Sequence, residues 1–134
     1  MTSDPADLLS GALDAVAAAS TAILEVYASA HDVEYKADDS PITRADRAAH
    51  DILATRLALL TPSVPVLSEE ADAAHDLRVR RNWGALWLVD PLDGTREFIG
   101  RNGALTLNVA LVLHHEPALG IVPAPALRLT YSAT

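Results

Sequence analysis

An apolar run, Leu86-Trp87-Leu88-Val89, that stops at Asp90-Pro91 constrains this chain more tightly than any other stretch. Aliphatic, β-branched and aromatic residues in one short unbroken run read as a buried strand. Pro91 has no N–H to give to a ladder, so the chain is expected to turn just after Asp90. Leu92 follows, and then Asp93-Gly94-Thr95, which reads as the opening of a short helix whose first N–H groups point outward and favour an anion. Two carboxylates and a set of anion-binding amides thus meet at one strand end. Oxygen ligands of this kind suit Mg²⁺, which keeps several waters and is held by a few carboxylates together with a substrate phosphate. The same Pro-Leu-Asp-Gly also satisfies the dihedral demands of a plain β-turn, so the metal reading depends on other acids converging here.

Length and charge narrow the classes. At 134 residues, half of them hydrophobic, the chain has enough material for one domain with a real core. A formal charge of -8, from 10 basic and 18 acidic residues, and the absence of a Lys/Arg cluster argue against a nucleic-acid partner. With no cysteine there is neither a disulfide framework nor a thiolate metal site, as suits a cytoplasmic protein. Met1-Thr2-Ser3-Asp4-Pro5 carries acid where a signal peptide carries base, and no apolar run is read as approaching membrane-spanning length. A soluble, cytoplasmic protein with no membrane span is expected.

Along the chain, Leu9, Leu13, Val16, Ile23 and Tyr27 recur at helical spacing from Ala6 to about Ala30, with Pro5 in the first turn and Ser3 or Asp4 as cap. Residues 31–40 read as a polar loop, with Lys36, Asp38 and Asp39 either near a metal or merely solvated. A second helix is expected from Thr43, whose hydroxyl caps while Asp46 reaches back, and Ala45, Ala49, Ile52, Leu53, Leu57 and Leu60 make its buried face. His50 on that helix has no partner at i+4, so zinc has no support. After Pro62, Val64 to Leu67 reads as a strand running into Ser68-Glu69-Glu70, a second delivery of acids to a strand end that could bring Glu69 beside Asp90 and Asp93. Residues 71–82 read as surface. Arg96 to Ile99 suggests one helical turn and Asn102-Gly103 a turn into a hairpin strand. Leu105 to Leu113 alternates, with Leu105, Leu107, Val109, Leu111 and Leu113 on one face and both faces largely covered. His114 to Pro117 reads as a turn, its two adjacent histidines a poor chelating pair, and Leu119–Val122 and Leu127–Tyr131 as two further strands.

Taken in order, these segments resemble the lithium-sensitive, magnesium-dependent phosphatases that include inositol monophosphatase, fructose bisphosphatase and the 3'(2'),5'-bisphosphate nucleotidases. Asp90-Pro91-Leu92-Asp93-Gly94-Thr95 is similar to that family's signature hexapeptide. The resemblance extends through Lys36 to Pro41, Ile42 to Asp46, Val66 to Glu70, Asn102-Gly103 with Thr106 to Leu111, and Gly120 to Pro125. Arg96-Glu97-Phe98-Ile99 followed by Arg101-Asn102-Gly103 resembles the bacterial bisphosphate nucleotidase branch more than inositol monophosphatase, while Ala104 stands where that branch usually has an acid and Pro123 where an aromatic is common.

The resemblance implies an α+β fold, two long helices packed on a largely antiparallel sheet, equivalent to the N-terminal half of the sugar-phosphatase (αβαβα) fold. It implies Mg²⁺ as cofactor, with Glu69, Asp90, Asp93 and the backbone carbonyl of Leu92 as ligands. Asp46 and Thr95 would orient and deprotonate the attacking water, Thr95 as a relay only because its hydroxyl is too weak a base alone. The amides of Gly94 and Thr95 would hold the phosphate, with Glu69, Leu92 and Asp93 also lining the substrate site. The implied reaction removes the 3'-phosphate of 3'-phosphoadenosine 5'-phosphate; inositol or fructose phosphates are the alternative substrates. Family members continue for about as much chain again beyond Ser132-Ala133-Thr134, so residues 1–134 are expected to be the metal-binding half, without the C-terminal α/β domain and its Trp-Asp motif. A chain of this length is then either a fragment of the enzyme or a non-catalytic metal-binding or dimerising domain, and its uncovered sheet is expected to favour a homodimer or aggregation.

Overall fold

The computed structural model describes residues 4–29, 41–68, 82–93 and 106–134, with backbone alone for residues 27, 29, 41–43, 91–93 and 126. Helix α1 spans Pro5–Ser29 and α2 spans Pro41–Leu60. Among the described residues five strands follow: β1 Val66–Ser68, β2 Ala85–Asp93, β3 Thr106–Leu113, β4 Glu116–Ala124 and β5 Leu129–Ala133. They form one sheet in the order β1-β2-β3-β4-β5, parallel between β1 and β2 and antiparallel at every other step. This is the α+β arrangement expected, two helices on a mixed, largely antiparallel sheet.

Helix α1 begins as its sequence implies. Pro5 opens the first turn, where a missing N–H costs nothing, and Asp4 Oδ1 accepts the Ala6 N–H at 2.9 Å. Its buried seam differs from the expected one: Leu8, Ala12, Ala15, Val16, Ala19 and Ile23 face the core, while Leu9 and Leu13 flank it. The alanines that read as filler are the contact residues. By length and composition alone Pro5–Val26, with a mean hydropathy of 1.4, is apolar enough to cross a bilayer, contrary to the reading that no run approaches that length. In this fold that stretch lays its seam on α2 and the sheet.

Helix α2 starts at Pro41, so Thr43 stands inside its first turn and is not the residue before it. A proline preset for helical φ takes the first position, and the expected Thr43 cap is displaced. The buried face matches the pattern: Ala45, Ala49, Leu53 and Leu57 are fully buried, with Ile52 and Leu60 packed at the margin. Gly11 near the start of α1 lies so close to Leu60 at the end of α2 that a Cβ there would stand 2.6 Å from its Cδ1. The helices therefore run in opposite directions.

Trp87 sits at the centre of the core with no exposure. Its indole N–H donates to Thr61 Oγ1 at 2.9 Å, and that hydroxyl donates to the Leu57 carbonyl at 3.1 Å. Its backbone N–H donates to the Pro65 carbonyl at 2.9 Å, where the chain enters β1. Strand β1 is shorter than expected because Val64 is spent in the preceding turn, its N–H donating to the Thr61 carbonyl.

Two rows cross the sheet under the helices: Trp87, Leu111 and Leu119, then Val89, Val109 and Ile121. The opposite face is not covered as the alternation of β3 suggested. Leu88 is 41% exposed, Asn108, Ala110 and Val112 are half-buried, and a Cβ at Gly120 would meet nothing within 4 Å. One sheet face is core; among the described residues the other is partly exposed.

The β3–β4 connection is a two-residue turn in which His114 and His115 both have positive φ, 50° and 66°. That is the mirror-image geometry a tight hairpin needs, and it is why β4 starts at Glu116 and not near Leu119. A bulge opposite Leu111 and Val112 leaves Ala118 as the extra residue, next to Pro117, which pairs with Val112. Leu127 belongs to a 3₁₀ turn, Pro125–Leu127, and β5 starts two residues later.

Candidate functional site

The ladder between β2 and β3 decides how the two acids of the hexapeptide are placed. Asp90 pairs with Asn108 and Asp93 with Thr106, three residues on one strand against two on the other. Strand β2 does not turn at Pro91; it runs on to Asp93 through a bulge. A proline with no N–H to donate is at home in such an irregularity, where one residue is left unpaired. Residues three apart on a regular strand lie on opposite faces. The extra residue restores parity, so ladder position 93 falls on the same face as position 90. That face is the open one, opposite the helices, because Trp87 and Val89 take the core side.

Asp90 is half-buried at the edge of a hollow of about 310 Å³ that it lines with Leu88, Asn108, Ala110, Gly120 and Val122. Strand β1 runs parallel beside β2 and its last residue, Ser68, pairs with Val89, the residue before Asp90. Both strands therefore end at the same edge of the sheet. Helix α2 packs on β1 and β2, and the five-residue connection from Leu60 to Val66 makes it run back over them. Its first turns, with the half-buried Asp46, thus lie toward that edge.

A contact that sequence reasoning missed ties these pieces together. His50 Nδ1 shares a hydrogen bond with Ser68 Oγ at 3.0 Å. The sequence offers His50 only as an unsupported zinc ligand and Ser68 only as the lead into two acids, because the pairing requires α2 and β1 to be neighbours running in opposite directions. The only signal was positional: His50 follows Asp46 by one helical turn, and Ser68 precedes Glu69.

Of the expected site residues, Asp46 and Asp90 are described with their side chains, and Leu92 and Asp93 by backbone in β2. Glu69, Gly94 and Thr95 lie outside the described residues, as do the 38–39 acids, the helical turn at 96–99 and the Asn102-Gly103 turn. Among the described residues no three or more His, Cys, Asp or Glu side chains converge as a metal cluster. Among the described residues the donors toward this edge are carboxylate, amide and hydroxyl oxygens, and the His50 imidazole has its Nδ1 committed to Ser68. Such a set fits a hard cation such as Mg²⁺ and not a thiolate- or imidazole-bound metal.

The inositol monophosphatase family model matches residues 4–134. The chain belongs to this family. It is 52% identical over 117 residues to the 3'(2'),5'-bisphosphate nucleotidase CysQ of Salmonella typhimurium, an alignment that takes in 86% of this chain and 47% of that protein. The crystal structure of CysQ from Bacteroides thetaiotaomicron, 41% identical, superposes with a TM-score of 0.84 over 97% of this chain and 46% of that one. Inositol monophosphatase II of Staphylococcus aureus, at 23% identity and a TM-score of 0.79, shares the fold over 96% of this chain and 45% of its own. This family member thus spans about half the length of the relatives it matches.

Proposed function

We propose that this chain is the N-terminal, metal-holding half of a Mg²⁺-dependent phosphomonoester hydrolase of the 3'(2'),5'-bisphosphate nucleotidase type, which converts 3'-phosphoadenosine 5'-phosphate to AMP and phosphate. The observation that carries the substrate class is the 52% identity to proteins named for that activity. The chemistry is supported by the bulged end of β2, which sets ladder positions 90 and 93 on one face beside the end of β1.

In this reading Asp90, Asp93, Glu69 and the Leu92 carbonyl hold the cation, which when bound neutralises phosphoryl oxygens and acidifies a water. Asp46 accepts the proton of the attacking water through the Thr95 hydroxyl, and the Gly94 and Thr95 amides hold the phosphate in line for displacement. The protein acts in the cytoplasm on a small phosphorylated substrate, and the 134-residue chain alone, with one sheet face open, self-associates without turnover.

Phosphate release from 3'-phosphoadenosine 5'-phosphate by the full-length protein tests this. Release is expected only with Mg²⁺ and is expected to vanish in Asp93→Asn. Undiminished turnover in that variant ends the proposal, and faster hydrolysis of inositol 1-phosphate or fructose 1,6-bisphosphate in the same panel moves the substrate to the sugar phosphates.

A further inference from the structure

We propose that His50 is a positioning residue for the metal-holding edge, acting through Ser68, an inference that rests on the Mg²⁺-dependent reading above. Ser68 is 1% exposed and is the polar exception among the buried described residues. It extends the row Val89, Val109 and Ile121 under the helices, whose other buried members are apolar; the row's far end, Ser132 on β5, is polar but exposed. A sheet built only for stability would place an aliphatic side chain there. The large majority of hydroxyls so buried have a hydrogen-bond partner, and His50 supplies one to Ser68 at 3.0 Å. Departures of this kind from core patterning concentrate where function requires them.

The bond joins α2, which carries Asp46, to β1, whose last residue Ser68 precedes Glu69 in the sequence. Along α2, Asp46 lies four residues before His50, about 6 Å along the axis on the same helix face. In the sequence Glu69 follows Ser68, the last residue of β1, and across the ladder Ser68 pairs with the residue before Asp90. Fixing His50 to Ser68 therefore fixes the helix carrying Asp46 against the strand ends that carry the proposed ligands. Residues behind metal ligands that hold their orientation change affinity without touching the ion.

The test is Mg²⁺ binding to the full-length protein by isothermal calorimetry, alongside turnover of 3'-phosphoadenosine 5'-phosphate as a function of Mg²⁺. Ser68→Ala and His50→Leu are each expected to weaken Mg²⁺ binding by roughly 10- to 100-fold, with KM at saturating Mg²⁺ unchanged. His50→Asn, whose amide can stand where Nδ1 was, is expected to recover most of the affinity. The double variant should lose no more than the larger single loss, as expected of one shared interaction. Should His50→Leu not fold, Ser68→Ala, which removes one oxygen, gives the same readout. A lower melting temperature with Mg²⁺ affinity unchanged in Ser68→Ala, or fully additive losses in the double variant, overturns the inference and leaves the parent reading standing. If the wild-type protein neither binds Mg²⁺ nor releases phosphate, both fall together.

Discussion

Replacing Thr61 by Val keeps the shape of the side chain and deletes one oxygen, yet it should be among the costlier single-atom changes in this fold. The Thr61 hydroxyl accepts the Trp87 indole N–H at 2.9 Å, and Trp87 is fully buried. Without that oxygen the N–H is stranded in the core. The Leu57 carbonyl is not, since it still accepts the Thr61 backbone N–H at 3.0 Å. The expected loss is thus that of one buried donor, about 1–3 kcal/mol. With a urea slope of about 2 kcal/mol/M, the unfolding midpoint should fall by roughly 0.5–1.5 M at constant slope. Thr61→Ser, which keeps the hydroxyl, should lose well under half as much. In a Trp87→Phe background, where no N–H exists to strand, Thr61→Val should cost less than about 0.5 kcal/mol. Circular dichroism follows all five proteins, since Trp87 cannot serve as a common fluorophore. An equal cost of Thr61→Val with Trp and with Phe at position 87 would refute the reasoning.

Other outcomes follow from the same contacts. Leu107→Ala, at a fully buried position of β3, should destabilise by about 2–5 kcal/mol in chemical unfolding. His114→Asn with His115→Gly, at two positive-φ positions, should raise stability by about 1 kcal/mol, seen as a higher melting temperature, because these residues adopt that turn with less strain. Leu88→Gln on the open face should leave the unfolding midpoint of the 134-residue chain within about 0.5 kcal/mol of wild type while lowering its sedimentation mass. In the full-length protein, Asp90→Asn should abolish Mg²⁺-dependent phosphate release and leave the circular dichroism spectrum unchanged.

The helices were legible because a 3.6-residue period survives in Ala45, Ala49, Leu53 and Leu57, positions that burial then singles out. In α1 the same period was present, yet its seam was misjudged by favouring large residues over Ala12, Ala15 and Ala19, which close helix packing selects. Proline misled twice, at Pro91 and Pro117, since a strand with a bulge can carry a residue that gives no ladder N–H. Sequence alone does not announce a bulge, because it depends on the partner strand's register. For the proposed site, the motif supplies the candidate acids, but the sharing of a face by ladder positions 90 and 93 depends on that same register, and the His50–Ser68 bond depends on how α2 returns over β1. Pairwise geometry of this kind is absent from any local pattern.

The strands lie side by side in the order in which they occur along the chain. A ribosome releasing this polypeptide therefore presents each of β3, β4 and β5 to an edge already formed by its predecessor, and none of the described strands must wait for a later one to be inserted between neighbours. The helices emerge first and offer their apolar seam as a template. Assembly can thus keep pace with translation, and the nascent chain's chief hazard during that interval is the bare side of the sheet around Leu88, the surface on which a chaperone would have most to gain by binding.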